Sequence, residues 1–158
     1  MNKIVFKIQS LEEEKFLVNK LVLPRLAFLK EKNIIFTLPK TSIEKEYNPA
    51  QLEVFKQKLE KDWDTLNNNF FEKLEIFFGT TITDPFLVYV SNYGPLGRYL
   101  YKTHHVFINI HIEEKGFNAI KTVKHEIVHL IVEPFIQYYK INYEKKEKIV
   151  DMIIDLFE

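Results

Sequence analysis

The chain has 158 residues and equal numbers of basic and acidic side chains, 22 of each, giving no formal net charge and a pI near 7.0. A nucleic-acid surface usually shows as a basic excess, and none is present. There is no cysteine, so disulfides, zinc ribbons and thiol nucleophiles are excluded, and any metal must be held by His and carboxylate.

The length suits one ordinary domain, residues 1–158, with a real core. The first residues, Met1-Asn2-Lys3-Ile4-Val5-Phe6-Lys7, lack the apolar core of a secretory signal. No stretch approaches 18 uninterrupted apolar residues. These features predict a soluble, cytoplasmic protein without a membrane span. Ile4, Phe6 and Ile8 alternate as in a first strand. Ser10 can cap a helix from Leu11, with Glu12-Glu13-Glu14 set to complement its dipole. That helix carries Phe16, Leu17, Leu21, Leu26 and Leu29 and is expected to kink at Pro24. Ile34 to Leu38 reads as a short strand, and Pro39 to Pro49 as a polar connection. Residues 1–48 together are a candidate accessory region able to cover a cleft.

Asn48-Pro49 is a helix start, a cap followed by Pro at the first helical position. Apolar residues then recur by threes and fours at Leu52, Phe55, Leu59, Trp63, Leu66, Phe70, Leu74 and Phe77. This predicts a long amphipathic backing helix, interrupted at Asn67-Asn68-Asn69 and closed by Gly79, whose aromatic stripe is core. Phe86 to Val90 is a buried strand and Ser91 to Gly97 a loop punctuated by Gly94-Pro95. Val106 to Ile112 is a second strand with Val106, Ile108, Ile110 and Ile112 on one face. Phe107, Asn109 and His111 occupy the other.

From Ala119 to Val132 there is neither Gly nor Pro, and Ile120, Val123, Ile127, Leu130 and Ile131 recur at helical spacing. Asn118 is the expected N-cap, and Pro134, lacking a donor for the carbonyl of Leu130, is expected to kink or end the helix. Inside this helix lies His125-Glu126-Ile127-Val128-His129, an H-E-x-x-H run. Residues four apart on a helix differ by about 40° in azimuth and about 6 Å in height, so both imidazoles leave one face. Two ring nitrogens so placed can share one zinc ion, and Glu126 can stand beside it as a base without binding it. The spacing points to zinc-dependent hydrolysis, most often of peptide bonds. The structural alternative, a buried helix with locally satisfied histidines, must bury two imidazoles and a carboxylate on an apolar helix, which is costly unless something pairs them. A di-iron bundle would need a second E-x-x-H, and the chain has none.

A hydrolytic zinc site usually has three protein ligands. Glu133, a further i+4 step along, lies about 12 Å above His125 on a straight helix and is expected to face solvent or cap the kink. After a turn at Lys140-Ile141-Asn142, a last helix from Tyr143 to Phe157 offers Glu144, Glu147 and Asp151. Glu147 falls at the edge of that helix's apolar arc, beside Val150 and Ile154, so it can look inward. Asp151, one turn later, can accept from the far nitrogen of a ligating histidine. Both carboxylates can also be read as ordinary polar-face residues.

The H-E-x-x-H run, followed after 17 intervening residues by Glu147-Lys148-Ile149-Val150-Asp151, resembles the gluzincin branch of zinc metallopeptidases. The likeness covers about residues 104–155. It implies His125, His129 and Glu147 as ligands of one zinc ion, Glu126 as general base and acid, and Asp151 behind the ligands. It also implies an α+β, zincin-like fold, a small mixed sheet packed on the active-site helix, the backing helix and a C-terminal ligand helix. The Val106–Ile112 strand would form the substrate-binding rim of that sheet. In size the chain resembles minimal soluble gluzincin scaffolds, with no room for a separate C-terminal subdomain.

An oxyanion also needs a donor, and the candidates are Tyr138, Tyr139, Tyr143 and His111. Arg98 is available either to a substrate carboxylate or to solvent. The expected activity is hydrolysis of a peptide or protein substrate by zinc-activated water. The competing reading is a catalytically silent or latent zinc-binding interaction module on the same scaffold.

Overall fold

The computed structural model describes residues 3–66 and 69–157. Alternating burial in Ile4–Ile8 (β1) puts Ile4 and Phe6 inward, as the sequence pattern predicts. This strand pairs in parallel with Phe86–Ser91 (β3), which pairs in parallel with His105–Asn109 (β6). Gly97–Leu100 (β5) closes the sheet at one edge, antiparallel to β6, so the order is β1-β3-β6-β5. A separate two-stranded pair joins Phe36–Thr37 (β2) to Gly94–Pro95 (β4). The class is therefore α+β with a small mixed sheet.

Two expectations change here. The Val106–Ile112 strand begins one residue earlier, ends at Asn109, and is an interior strand rather than the rim. The rim is β5, in a region whose Gly-Pro punctuation reads as loop. Asn109 explains the stop: its side-chain amide donates to Thr37 Oγ1 (2.6 Å) and the Gly94 carbonyl (3.0 Å), and its oxygen accepts from the His111 amide. This fully buried side chain pins the β2–β4 pair and the turn into β5 to the end of β6.

The helices begin where their caps predict. Ser10 and Glu13 form a reciprocal capping box at the start of Leu11–Phe16 (α1), satisfying two otherwise orphaned amides. The chain stays helical through a π segment, Leu17–Val22, and a 3-10 turn at Leu23–Arg25 before Leu26–Glu31 (α2). The expected break at Pro24 thus takes the form of a change in helical pitch. The expected strand at Ile34–Leu38 shrinks to β2. The polar connection contains a single helical turn, Ile43–Glu46 (α3), capped by Ser42.

The backing helix runs Pro49–Leu66 (α4), with Phe70–Phe78 (α5) after it. Residues 67–68 of the expected interruption lie outside the described residues, and Asn69 is the N-cap of α5. Next comes the motif helix, Ala119–Tyr138 (α6), capped by the Asn118 side chain. It does not end at Pro134. Only the Leu130 carbonyl loses a partner there, while Val132 and Ile136 on either side remain buried and hold the helix on course. The last helix is Tyr143–Asp155 (α7), capped by Asn142.

Leu52, Leu59 and Trp63 of α4, Phe71 and Leu74 of α5, Val123 and Ile127 of α6 and Val150 and Ile153 of α7 join the buried side chains of the sheet in a continuous core, with α7 packed on α6. Each such side chain is worth about 1.5–3 kcal/mol relative to exposure. The N-terminal helical run builds a separate apolar cluster around Leu17, Val22 and Leu29. Among the described residues no helix is long and apolar enough to cross a membrane.

Glu14 departs from its expected role. It does not complement the helix dipole from the surface but is wholly buried, accepting from the Asn92 amide (2.7 Å) at the end of β3. Its other oxygen has no hydrogen-bond partner. Burial pushes its pKa up to about 7, against the hydrogen bond from Asn92, which lowers it. The folded state therefore prefers the protonated acid. Its ionisation destabilises the fold progressively between the unfolded pKa, 4.5, and about 7. Glu14→Gln should gain stability relative to wild type as pH rises through this window, on the order of 3 kcal/mol at pH 8, with the gap closing below pH 4.5. Urea denaturation at several pH values measures it, and a gap independent of pH would refute the assignment.

Candidate metal centre

The i,i+4 spacing on α6 places His125 and His129 on one face with their Nε2 atoms 3.0 Å apart. The chain then reverses through Lys140, which takes left-handed backbone at φ 51°, and α7 packs back along α6. This return brings Glu147 Oε2 to 3.4 Å from His125 Nε2 and 3.3 Å from His129 Nε2. Ligand atoms held tetrahedrally at 2.0–2.1 Å, as zinc requires, lie about 3.3 Å apart. The three donors already stand at tetrahedral edge lengths, so His125, His129 and Glu147 can hold one metal ion.

Charge reinforces the geometry. Burial alone would raise the Glu147 pKa, but hydrogen bonds from His125 and His129 outweigh it and hold the carboxyl at about 2. Burial likewise opposes a charge on His125, yet Glu147 and the neighbouring carboxylates leave its pKa raised. Asp151 Oδ1 stands 3.4 Å from His125 Nδ1, on the side away from Glu147. His129 has no such partner: its Nδ1 is buried without a hydrogen bond, and the ring stacks on Tyr99 at 4.8 Å and 10°.

Glu126 points from α6 toward β5, and its pKa is raised by burial, against the pull of His129, His125 and Lys146. The space it occupies exists because residue 97 is glycine. A Cβ there would lie 2.3 Å from Thr122 Cγ2 and 2.6 Å from Glu126 Oε1. The neighbouring Tyr99 hydroxyl donates to Glu133 (2.8 Å) and accepts from Lys146 Nζ (2.9 Å). Glu133 therefore joins β5 to α6, and does not simply face solvent or cap a kink.

A cavity of about 390 Å³ opens over the site. His125, Glu126, His129 and Glu147 form one wall, Gly97, Arg98 and Tyr99 of β5 another, and Tyr143 and Lys146 of α7 a third. The N-terminal helical run adds Leu21, Arg25, Phe28 and Leu29. Of the expected donors only Tyr143 is there, its hydroxyl pKa pushed up to about 12 by burial and by Glu147 and Glu126. Tyr138 and Tyr139 are 79% and 61% exposed on the far end of α6 and do not line the cavity. His111 pairs with Glu114 (3.0 Å) beside a different, polar cavity. Tyr99 was not singled out by the sequence, because its strand is hidden by the flanking Gly-Pro signals. A period of two across Gly97 and Tyr99 is its only local trace.

No protein-family model, curated protein or solved structure matches this chain.

Zinc titration of the metal-free protein should show one site, and Glu147→Ala should cost more than the roughly 10–100-fold lost on removing an orienting partner, represented here by Asp151→Asn. Because any metal ion held here must displace the proton from His125, affinity should fall with acidification starting above the ordinary imidazole value of 6.5. Calorimetry in buffers of different ionisation enthalpy would detect the released proton. Equal zinc affinity for wild type and Glu147→Ala would remove Glu147 from the site. Separately, Gly97→Ala should lower the melting temperature and displace Glu126, an overpacking cost of about 1–3 kcal/mol; wild-type stability in that variant would show that the close approach is not needed.

Proposed function

We propose that this protein is a zinc-dependent metallopeptidase of gluzincin type with a zincin-like fold. The observation that carries this reading is the tetrahedral spacing of His125, His129 and Glu147, with the buried carboxylate of Glu126 in the same cavity. When bound, zinc supplies Lewis-acid chemistry, polarising a carbonyl and making water more acidic.

The chain's own residues do the rest. Glu126, made more basic by burial, takes a proton from the attacking water and passes it to the leaving amine. Tyr143 remains protonated at neutral pH and donates to the carbonyl oxygen as negative charge develops there. The outer edge of β5, beside Glu126 and His129, offers backbone groups to an extended peptide, the role first expected of β6. Asp151 keeps the His125 ring turned toward the other ligands.

A second reading, a latent or silent metal-binding module, draws on the N-terminal run. Phe28 meets the Tyr143 ring edge-on at 5.6 Å, and Lys32 pairs with Glu144, tying α2 to the start of α7 beside the cavity.

The zinc-loaded protein should cleave members of a mixed unstructured peptide library. Glu126→Gln should reduce turnover about 10²–10⁴-fold with zinc content unchanged, and Tyr143→Phe about 10²–10³-fold. Cleavage that persists in Glu126→Gln would exclude the mechanism. Stoichiometric zinc without Glu126-dependent cleavage would leave the second reading.

A further inference from the structure

We infer that Arg98, with Arg25, forms a carboxylate-binding subsite beside the metal centre, so that the substrate is a peptide presenting a carboxylate next to the bond it loses. The inference rests on the peptidase reading for where the substrate lies.

Arg98 is placed by β5 between the glycine that accommodates Glu126 and the tyrosine that stacks on His129. Its guanidinium sits 5.9 Å over the Phe107 ring and lines the cavity. The Nε atom is buried without a hydrogen-bond partner. Arg25, at the end of the 3-10 turn in the N-terminal run, lines the same cavity over the Phe28 ring at 5.2 Å. Among the described residues no carboxylate forms an ion pair with either guanidinium. The other cation in the cavity, Lys146, is already engaged by the Tyr99 hydroxyl.

A partly buried cation without a counter-ion is costly, and a second like charge nearby makes it more so. Burial first and Arg25 second lower the Arg98 pKa to about 10, partly offset by Glu126, so at neutral pH it keeps its charge. A metal ion would make the cavity more positive still. Glu126 and Glu147 share the cavity but neither is paired with Arg98 or Arg25, and the planar guanidinium fork recognises a carboxylate through paired hydrogen bonds. A peptide supplies that group from its chain terminus or from an acidic side chain. Arg98 is reached from β5 and Arg25 from the N-terminal run, so the subsite assembles only when that run is packed in place. This gives the N-terminal segment a part in substrate choice.

The test uses calorimetry on the zinc-loaded full chain with three thiol probes. They are N-(mercaptoacetyl)phenylalanine, its C-terminal amide, and N-(mercaptoacetyl)glutamate α-amide, which carries only a side-chain carboxylate. The acid should bind roughly tenfold or more tightly than the neutral amide. In Arg98→Met the acid-to-amide ratio should fall toward one, and Arg25→Met, on a different element, should reduce it independently. Arg98→Lys, with melting temperature followed, separates loss of the fork from loss of folding. A preference shown by the terminal acid places a chain end in the subsite, and one shown by the glutamate probe places an acidic side chain there. Equal binding of acid and amides by wild type, or a preference that survives both arginine substitutions, overturns the subsite and leaves the peptidase reading intact. If no probe binds the zinc-loaded protein, the peptidase reading falls, and the subsite with it.

Discussion

The structure turns on a conflict within α6. This helix must bury an apolar face to hold the sheet, yet Glu126 and His129 lie within that face, 8% and 2% exposed. Polar groups in such a position are tolerated only when something compensates them. Two elements do so. From α7, Glu147 reaches both imidazoles. From β5, Gly97 withdraws its side chain so that the Glu126 carboxylate has somewhere to go. The α6–α7 hairpin and the edge position of β5 follow from that need as much as from apolar burial.

The compensation remains incomplete in an informative way. His129 Nδ1 and Arg98 Nε are buried without partners, and two carboxylates, Glu126 and Glu147, share one cavity with Arg25, Arg98 and Lys146. The pKa values of Glu147, His125 and Glu126 are all displaced by burial and by one another, as happens where titratable groups are packed together out of water. The N-terminal helical run belongs to this picture. Its satellite apolar cluster anchors it independently of the main core, while Arg25 and Phe28 form part of the cavity wall.

Local patterns were readable wherever the interaction is local. Ser10, Asn48 and Asn118 each cap the helix start expected of them, because a cap bonds two or three residues ahead; Asn142, read only as part of a turn, caps the last helix in the same way. Alternation in β1 and the three-and-four spacing of α4 likewise survive folding. The failures are all non-local. Glu14 was grouped with its acidic neighbours, and only the approach of Asn92 gives it a buried role. Helix geometry alone leaves Glu133 to solvent or to a cap at the kink, and only Tyr99, from another element, gives it a partner. Pro134 invites a kink or an end by its local chemistry, and long-range packing carries the helix through to Tyr138.

What the sequence determined by itself is the His125–Glu126–His129 constellation, since helical geometry alone converts that spacing into two imidazoles on one face. It also narrowed the third donor to the last helix, with Glu147 at the inward edge. The tertiary structure decided the rest. It selected Glu147 by folding α7 onto α6, dismissed Tyr138, Tyr139 and His111 from the cavity, decided that Arg98 lines it rather than facing solvent, and brought in Tyr99 and Arg25. Each of those outcomes depends on how separate elements meet, and residue spacing along one helix or strand carries no information about where its neighbours will lie.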